Sequence, residues 1–352
     1  AIVCLIAISA GVMAGWFAFT TVGILVDPVF PALVVLVVYL SSSLITYLQS
    51  ETQRRQIRTA FGQYLSPALV EQLADQPERL RLGGETREMT LLFCDIRGFT
   101  SISEDHRDDP QALTTLINRL LTPMTAEILE RDGTIDKYMG DCIMAFWNAP
   151  IDDPAHAAHA CESALAMLDA LQRVNDARRA EDPEAVEIAV GVGLNTGECV
   201  VGNMGSDQRF DYSVLGDAVN LAARLEGQSR PYGMPIIVGE STHDQVAGDF
   251  AFLELDLIAV KGKREAVRIY GLVGDAAEAA SEAFQALQRE HAQMLEAYRA
   301  RDWDRAQDLL NVCVEMPGAV EAFYELYAER IFHYSFDPPP EDWKGVHVAE
   351  MK

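Results

Sequence analysis

Two aspartates stand where a metal-assisted reaction needs carboxylates. Asp95 ends a short apolar run, Met89-Thr-Leu-Leu-Phe-Cys94, and precedes Ile96-Arg-Gly-Phe-Thr100; Asp141 lies at the tip of Lys137-Tyr-Met-Gly-Asp141. Carboxylates at strand ends hold Mg²⁺, which takes oxygen ligands and leaves room for substrate phosphates. Gly98 allows the backbone to approach an anion, and the amides beside it, at Phe99 and Thr100, can cradle phosphate. Taken singly, an Asp after a strand is more often a turn former than a ligand. Asn220 and Arg224 are four residues apart on a helix expected from Asp217, so they share a face. An amide beside a guanidinium suits a sugar oxygen and a phosphate oxygen, although a surface polar pair has the same spacing. Gly191-Val-Gly193-Leu-Asn-Thr-Gly197 misses the dinucleotide-binding fingerprint by one residue and reads as strand and turn. His156 and His159 are about one helical turn apart with no third ligand at a metal spacing, and read as a solvated face.

The elements that must hold these residues follow from periodicity and caps. Met89–Cys94 is a buried strand. Asp109-Pro110 caps a helix with a stripe at Leu113, Leu116, Ile117, Leu120, Leu121, Met124 and Ile128, and Gly133 ends it. Thr134–Met139 and Cys142–Trp147 form a hairpin around Gly140-Asp141. Asp153-Pro154 caps a long helix, Ile188–Leu194 and Cys199–Val201 read as strands, Asp217–Gly227 as a helix, and Phe250–Val260 and Val267–Val273 as strands. The order strand–helix–hairpin–helix–strand predicts an α+β sandwich with helices on one face of a mainly antiparallel sheet. After Gly274 two helices are expected, one with Phe284, Leu287, His291, Leu295 and Tyr298 along a face and one from Trp303 to Val314. They form a hairpin that either covers the sheet or, through Tyr298 and Trp303, docks a partner in the manner of a single tetratricopeptide-like repeat. A lone repeat cannot bury its own apolar faces, which favours the cover.

The charge is uneven. The 28 Lys and Arg against 53 Asp and Glu give a net charge of −25, which argues against nucleic acid as a partner. Residues 1–50 contain one charged residue, Asp27. Ile2–Leu25 exceeds the ~20 apolar residues a membrane helix requires, and Ala32–Leu48 is a second run after Asp27-Pro28 and Pro31. Two transmembrane helices over residues 1–50 are therefore expected, in contact with membrane lipid. Arg54, Arg55 and Arg58 then place the remainder in the cytoplasm. Gln49–Leu80 reads as a linker helix, 51–86, with Ile57, Phe61, Tyr64 and Leu65 on one face and Ser66-Pro67 starting a second short helix. The six cysteines contain no CxxC pair and fit a reducing compartment.

Three segments together resemble the class III nucleotidyl cyclases, the adenylate and guanylate cyclase catalytic domain. They are Leu91–Thr100, Lys137–Asn148 and Phe210–Arg224, with Val260-Lys-Gly262 as a weaker fourth. The resemblance covers about residues 87–275 and implies a ferredoxin-like sandwich, with a C-terminal helical region over 276–352. It implies that Asp95 and Asp141, with Ile96 beside Asp95, bind two Mg²⁺ or Mn²⁺ ions. By the same resemblance, Lys137 and Ser213 select the purine, Asn220 orients the ribose, and Arg224 stabilises the transition state. Gly98, Phe99 and Thr100 hold phosphate, and Lys261 steadies the terminal phosphates with Lys263 as a competitor. The family splits each site between two protomers, so a homodimer is expected. Lys137 can donate to adenine N1, which favours ATP over GTP, whereas Ser213 discriminates less sharply than the Asp common at that position. An adenylate cyclase is the expected activity; a guanylate cyclase, or a silent dimerising module, is the alternative. Phe61–Pro67 and Asp337–Trp343 are similar to flanks of bacterial membrane cyclases that carry a CHASE2 sensor. An upstream sensor, absent from these residues, and a bacterial inner-membrane location are expected accordingly.

Overall fold

The computed structural model describes residues 2–24, 27, 29–61, 70, 84–206, 209–259 and 266–348. The chain divides into two compact units, Ala1–Gln63 with Val70–Glu78, and Tyr64–Leu69 with Arg79–Lys352. In the first, α1 (Ile2–Val22) packs against the 33-residue α2 (Val29–Phe61). Asp27 Oδ1 accepts from the Val29 amide at 2.8 Å, and Pro31 lies in the first turn of α2, where no amide proton is needed. Only Asp27-Pro28, not Pro31, therefore falls at the break. The helix runs unbroken past residue 50, so the expected linker helix is its continuation as far as Phe61. Tyr64, Leu65, Ser66-Pro67 and the stretch to Leu80, except Val70, lie outside the described residues. Among the described residues no helix is long and apolar enough to cross a membrane, so the two expected spans are not established by the fold.

Among the described residues the second unit is built on a nine-stranded sheet. Its strands are β1 (Glu85–Ile96), β2 (Thr134–Met139), β3 (Cys142–Trp147), β4 (Val190–Ser206), β5 (Arg209–Leu215), β6 (Ile236–Gly239), β7 (Ala251–Ala259), β8 (Val267–Gly274) and β9 (Val346–Val348). Their order is β2-β3-β1-β4-β6-β8-β7-β9, with β5 paired to β4 off this path. The pairs β4–β6 and β7–β9 are parallel and the others antiparallel. Four of these strands with α4 (Pro110–Glu130) and α5 (His156–Glu181) make the expected ferredoxin-like β1-α4-β2-β3-α5-β4 core. A short helix, α3 (Phe99–Asp105), precedes α4. The Asp109 carboxylate caps α4 by accepting from the Ala112 amide at 2.9 Å.

Helices cover both faces of the sheet rather than the one face expected. Residues 89–94 of β1 are all buried, and an unbroken apolar strand requires cover on both sides. Leu92, Cys94 and Ile96 pack under α4 and α5. Met89, Leu91 and Phe93 face Val201 and Val214 of β4 and β5 and Ala218 and Ala222 of α6 (Asp217–Gln228). The two strands expected over 188–201 are one strand of 17 residues. The short α7 (Glu240–Val246) follows β6, and neither they nor β5 were expected.

The C-terminal region holds more than a hairpin. After a single turn, α8 (Ala276–Ala279), come α9 (Glu282–Arg299), α10 (Trp303–Val314) and α11 (Glu321–Phe336), and then β9. Phe284, Leu287, Leu295, Tyr298, Phe323 and Tyr327 pack on Leu225, Ile237, Leu253 and Ile269. Tyr298 is buried, and half-buried Trp303 packs edge-on against it at 5.7 Å, so the pair takes part in the cover over the sheet. Beneath these helices Arg330 donates to Asp256 Oδ2 at 2.6 Å, and the Tyr232 hydroxyl donates to the same oxygen at 2.7 Å. His156 is likewise buried instead of solvated: its Nδ1 lies 2.7 Å from the Thr90 hydroxyl, inside a chain of hydroxyls that continues through Thr196 to Thr242.

Candidate active site

Alternation along β1 places Asp95 after Met89, Leu91 and Phe93 on the face that α6 covers. The opposite residue on β4 is Gly191. Asp141 occupies a two-residue turn between β2 and β3, whose Gly140 has φ of 69°. The hairpin folds back so that the Asp141 carboxyl comes beside that of Asp95. Burial, and then the neighbouring Asp141 charge, push Asp95 up to about 6. A third carboxyl, that of Glu226 on α6, is pushed up to about 7 by burial first and then by Asp95, with Arg97 opposing. One oxygen of Asp141, Oδ2, is buried without a partner.

This arrangement fits a divalent cation. Two adjacent carboxyls resist double ionisation until a counter-charge arrives, and the orphaned oxygen is a ready ligand. Among the described residues no group of three or more His, Cys, Asp and Glu could hold a metal unaided. Mg²⁺ does not need one, since it is commonly bound by one or two carboxylates plus substrate phosphates. The Ile96 side chain packs in the core under α4 and α5, which leaves only its main chain to face a ligand.

Beyond Ile96 the backbone turns. Gly98 has φ 72° and ψ 21°, the left-handed region, and precedes α3. A Cβ there would meet no atom within 4 Å, so the backbone angle rather than crowding calls for glycine. Phe99 is half-buried and Thr100 exposed. Arg97, which sequence reasoning passed over, donates to the carbonyls of Ser229 at 3.1 Å and Met234 at 2.9 Å, and ties the end of β1 to the segment after α6.

Lys137 and Ser213 come together as expected. The β4–β5 ribbon brings Ser213, opposite Gly202, against β2, where Lys137 Nζ donates to Ser213 Oγ at 3.3 Å. The partner that the sequence did not announce is Asp136. Ser213 Oγ donates to Asp136 Oδ2 at 2.9 Å, and Lys137 Nζ lies 3.4 Å from Asp136 Oδ1. That Oδ1 contact is an ion-pair distance without hydrogen-bond geometry, so the oxygen remains unsatisfied. Asp136 is fully buried, which raises its carboxyl above the ordinary value, opposed by the Ser213 hydroxyl, Lys137 and the Val214 amide. Consecutive strand residues normally point to opposite faces. Here the register slips between Ile135, paired with Ala145, and Lys137, paired with Met144, so Asp136 is an extra residue in a bulge. The bulge lets two neighbours serve one hydroxyl.

Asn220 and Arg224 share a face of α6, Asn220 exposed and Arg224 half-buried. Among the described residues no hydrogen bond or ion pair joins either side chain to the carboxylate pair or to the Lys137–Ser213 pair. Lys261 and Lys263 lie outside the described residues.

Residues 84–274 match the adenylate and guanylate cyclase catalytic domain. The chain belongs to this family. The match begins one residue before β1 and ends on the last residue of β8, so the cyclase domain is the sheet without β9 and the C-terminal helices. The cyclase chain is 36% identical over 188 residues to Adenylate cyclase 1 of Rhizobium meliloti (strain 1021), covering 53% of this chain and 28% of that protein. It is 37% identical over 218 residues to Adenylate cyclase of Anabaena cylindrica, covering 60% of this chain and 42% of the relative. It thus spans less than half the length of each of these two relatives. The crystal structure of the adenylyl cyclase CyaB from P. aeruginosa superposes with a TM-score of 0.51 at 36% identity, covering 55% of this chain and 96% of that one.

Proposed function

We propose that this cyclase is an adenylate cyclase that converts ATP to 3′,5′-cyclic AMP and pyrophosphate in a homodimer. The observation that carries the reading is the Asp95–Asp141 pair with its orphaned oxygen, in a chain of this family. Asp95 and Asp141, with the Ile96 main chain, would hold two Mg²⁺ or Mn²⁺ ions; when bound, these supply Lewis-acid stabilisation of the 3′-oxygen and of the leaving pyrophosphate. Glu226 adds negative potential to the same place without ligating. Holding the nucleotide fixed lets the 3′-hydroxyl attack its own α-phosphorus, an intramolecular step. Arg224 meets the charge that develops on the α-phosphate oxygens, and Asn220 orients the ribose. The amides of Phe99 and Thr100 after Gly98, and Lys261, receive the phosphates. Lys137 donates to adenine N1 while Ser213 faces the 6-amino group.

Residues 1–50 are proposed to lie in the bacterial inner membrane with the catalytic unit in the cytoplasm. The support is their near absence of charge and the exposure of Trp16, Phe17, Phe30 and Leu33 on α1 and α2. Sedimentation of the full chain with membranes, resistant to carbonate extraction, is the expected result. For activity, the full chain is incubated in detergent with ATP or GTP and Mg²⁺ or Mn²⁺. Cyclic AMP is the expected product; a preference for GTP would make it a guanylate cyclase, and no cyclic product from either would leave a silent dimerising module.

A further inference from the structure

We infer that Asp136 is a positioning residue for purine choice: it takes the proton of Ser213 and turns an ambivalent hydroxyl into an acceptor aimed at the 6-amino group of adenine. The inference rests on the adenylate cyclase reading and deepens it. A serine hydroxyl has one proton and two lone pairs, and free in a pocket it can either donate or accept. Here the proton is committed to Asp136 Oδ2 at 2.9 Å, and one lone pair accepts from Lys137 Nζ at 3.3 Å. What Ser213 has left is a single lone pair. Lys137, 45% exposed, keeps protons to donate. The pair therefore presents a donor beside an acceptor, the complement of adenine N1 and its 6-amino group. Guanine would set N1–H against the ammonium and O6 against the lone pair, mispaired at both positions.

The carboxylate is suited to this part by its surroundings. Asp136 is buried, held from below by the Val214 amide, and reaches Ser213 only because the bulge turns it to the same side as Lys137. A regular β2 would send one of the two to the opposite face. Ser213 Oγ is the donor and Asp136 Oδ2 the acceptor, and the adjacent ammonium favours the charged carboxylate against the effect of burial.

The test measures binding apart from turnover, using 3′-deoxy-ATP and 3′-deoxy-GTP, which cannot cyclise, in competition with a fluorescent nucleotide on the full chain in detergent. The preference for the adenine nucleotide should fall about 5- to 20-fold in Asp136→Ala, the worth of one mispaired hydrogen bond in a partly exposed pocket. Asp136→Asn, whose amide oxygen can still accept, should fall less. In a Ser213→Ala background, Asp136→Ala should change the ratio no further, a non-additivity that a merely structural role would not produce. An unchanged ratio in folded Asp136→Ala, or full additivity with Ser213→Ala, overturns the inference. Should the Asp136 variants fail to fold, the unmodified protein is measured with two 3′-deoxy triphosphates of equal bulk. One carries N6-methyladenine, which keeps a donor, and the other 6-methoxypurine, which replaces it with an ether acceptor. The methoxy compound should bind about 5- to 20-fold more weakly, and equal binding overturns the inference. Cyclic AMP formation by the unmodified protein tests the activity separately.

Discussion

Replacing Asp141 with Asn should make the metal-free protein more stable while it abolishes turnover. Asp95 stands at about 6 against an ordinary 3.8. That difference of about 2 units corresponds to about 3 kcal/mol if all of it were felt as stability. Burial is the larger cause, and Asp95 is only half-buried, so we assign Asp141 about 1 kcal/mol after solvent screening. The sign follows from proton uptake. The folded protein binds a proton at Asp95 near pH 6, the unfolded chain near pH 4, so the cost is full above pH 6 and disappears as pH falls toward 4. In EDTA at pH 7.5, Asp141→Asn should melt about 2 °C above the unmodified protein, and the gap should shrink at pH 5. With Mg²⁺ and a non-cyclisable nucleotide the order should reverse, because only the unmodified protein gains stability from the ion. A variant that melts lower in EDTA at pH 7.5, or a gap that widens toward pH 5, would refute the view that these carboxyls repel one another.

Mixing Asp95→Ala chains with Arg224→Ala chains should restore up to about one quarter of full activity, since half the dimers are mixed and one of their two sites carries neither lesion; mixtures that exchange subunits and stay silent would rule out a shared site. Arg330→Leu leaves Asp256 buried with only the Tyr232 hydroxyl as side-chain partner, and should cost about 3–5 kcal/mol, read as a lowered midpoint in urea. Lys137→Glu should lower kcat/KM for ATP at least 10-fold, about 1.4 kcal/mol or more, because a carboxylate then faces adenine N1 and stands beside buried Asp136.

Much of this fold was legible. Asp109-Pro110 and the apolar stripe behind it announced α4, and the hairpin around Gly140-Asp141 was placed without error. The strand β4 was broken in two because Asn195-Thr-Gly197 looks like a turn, while the role of Gly197, as of Gly191 and Gly193, is to admit α6. Four residues, Ile236–Gly239, are too few for a period to show, and α11 carries six aromatics that blur its stripe. In the site, the motifs singled out Asp95 and Asp141, which the fold brings side by side, and the Lys137–Ser213 pair. Asp136 was missed because strand alternation assigns it to the other face, and no local residue type signals the bulge. Glu226 was missed because it lies two residues beyond Arg224, about 200° around the helix, on the side that meets the sheet.

The packing of α6 on β4 has a regulatory consequence. A Cβ at Gly193 would collide with the backbone of Ala222 and Glu226, and one at Gly197 would press on Ala218 at 2.9 Å. At Gly193 the helix that carries Asn220 and Arg224 is therefore seated main chain against main chain, with no side chain between to rearrange. Such a contact has almost no slack, and interiors at this density transmit displacement instead of absorbing it. Tilting α6 against β4 would drive these atoms together. Any displacement of α6 is thereby shared with β4, and in the proposed homodimer the relative placement of the two copies is what remains free to vary.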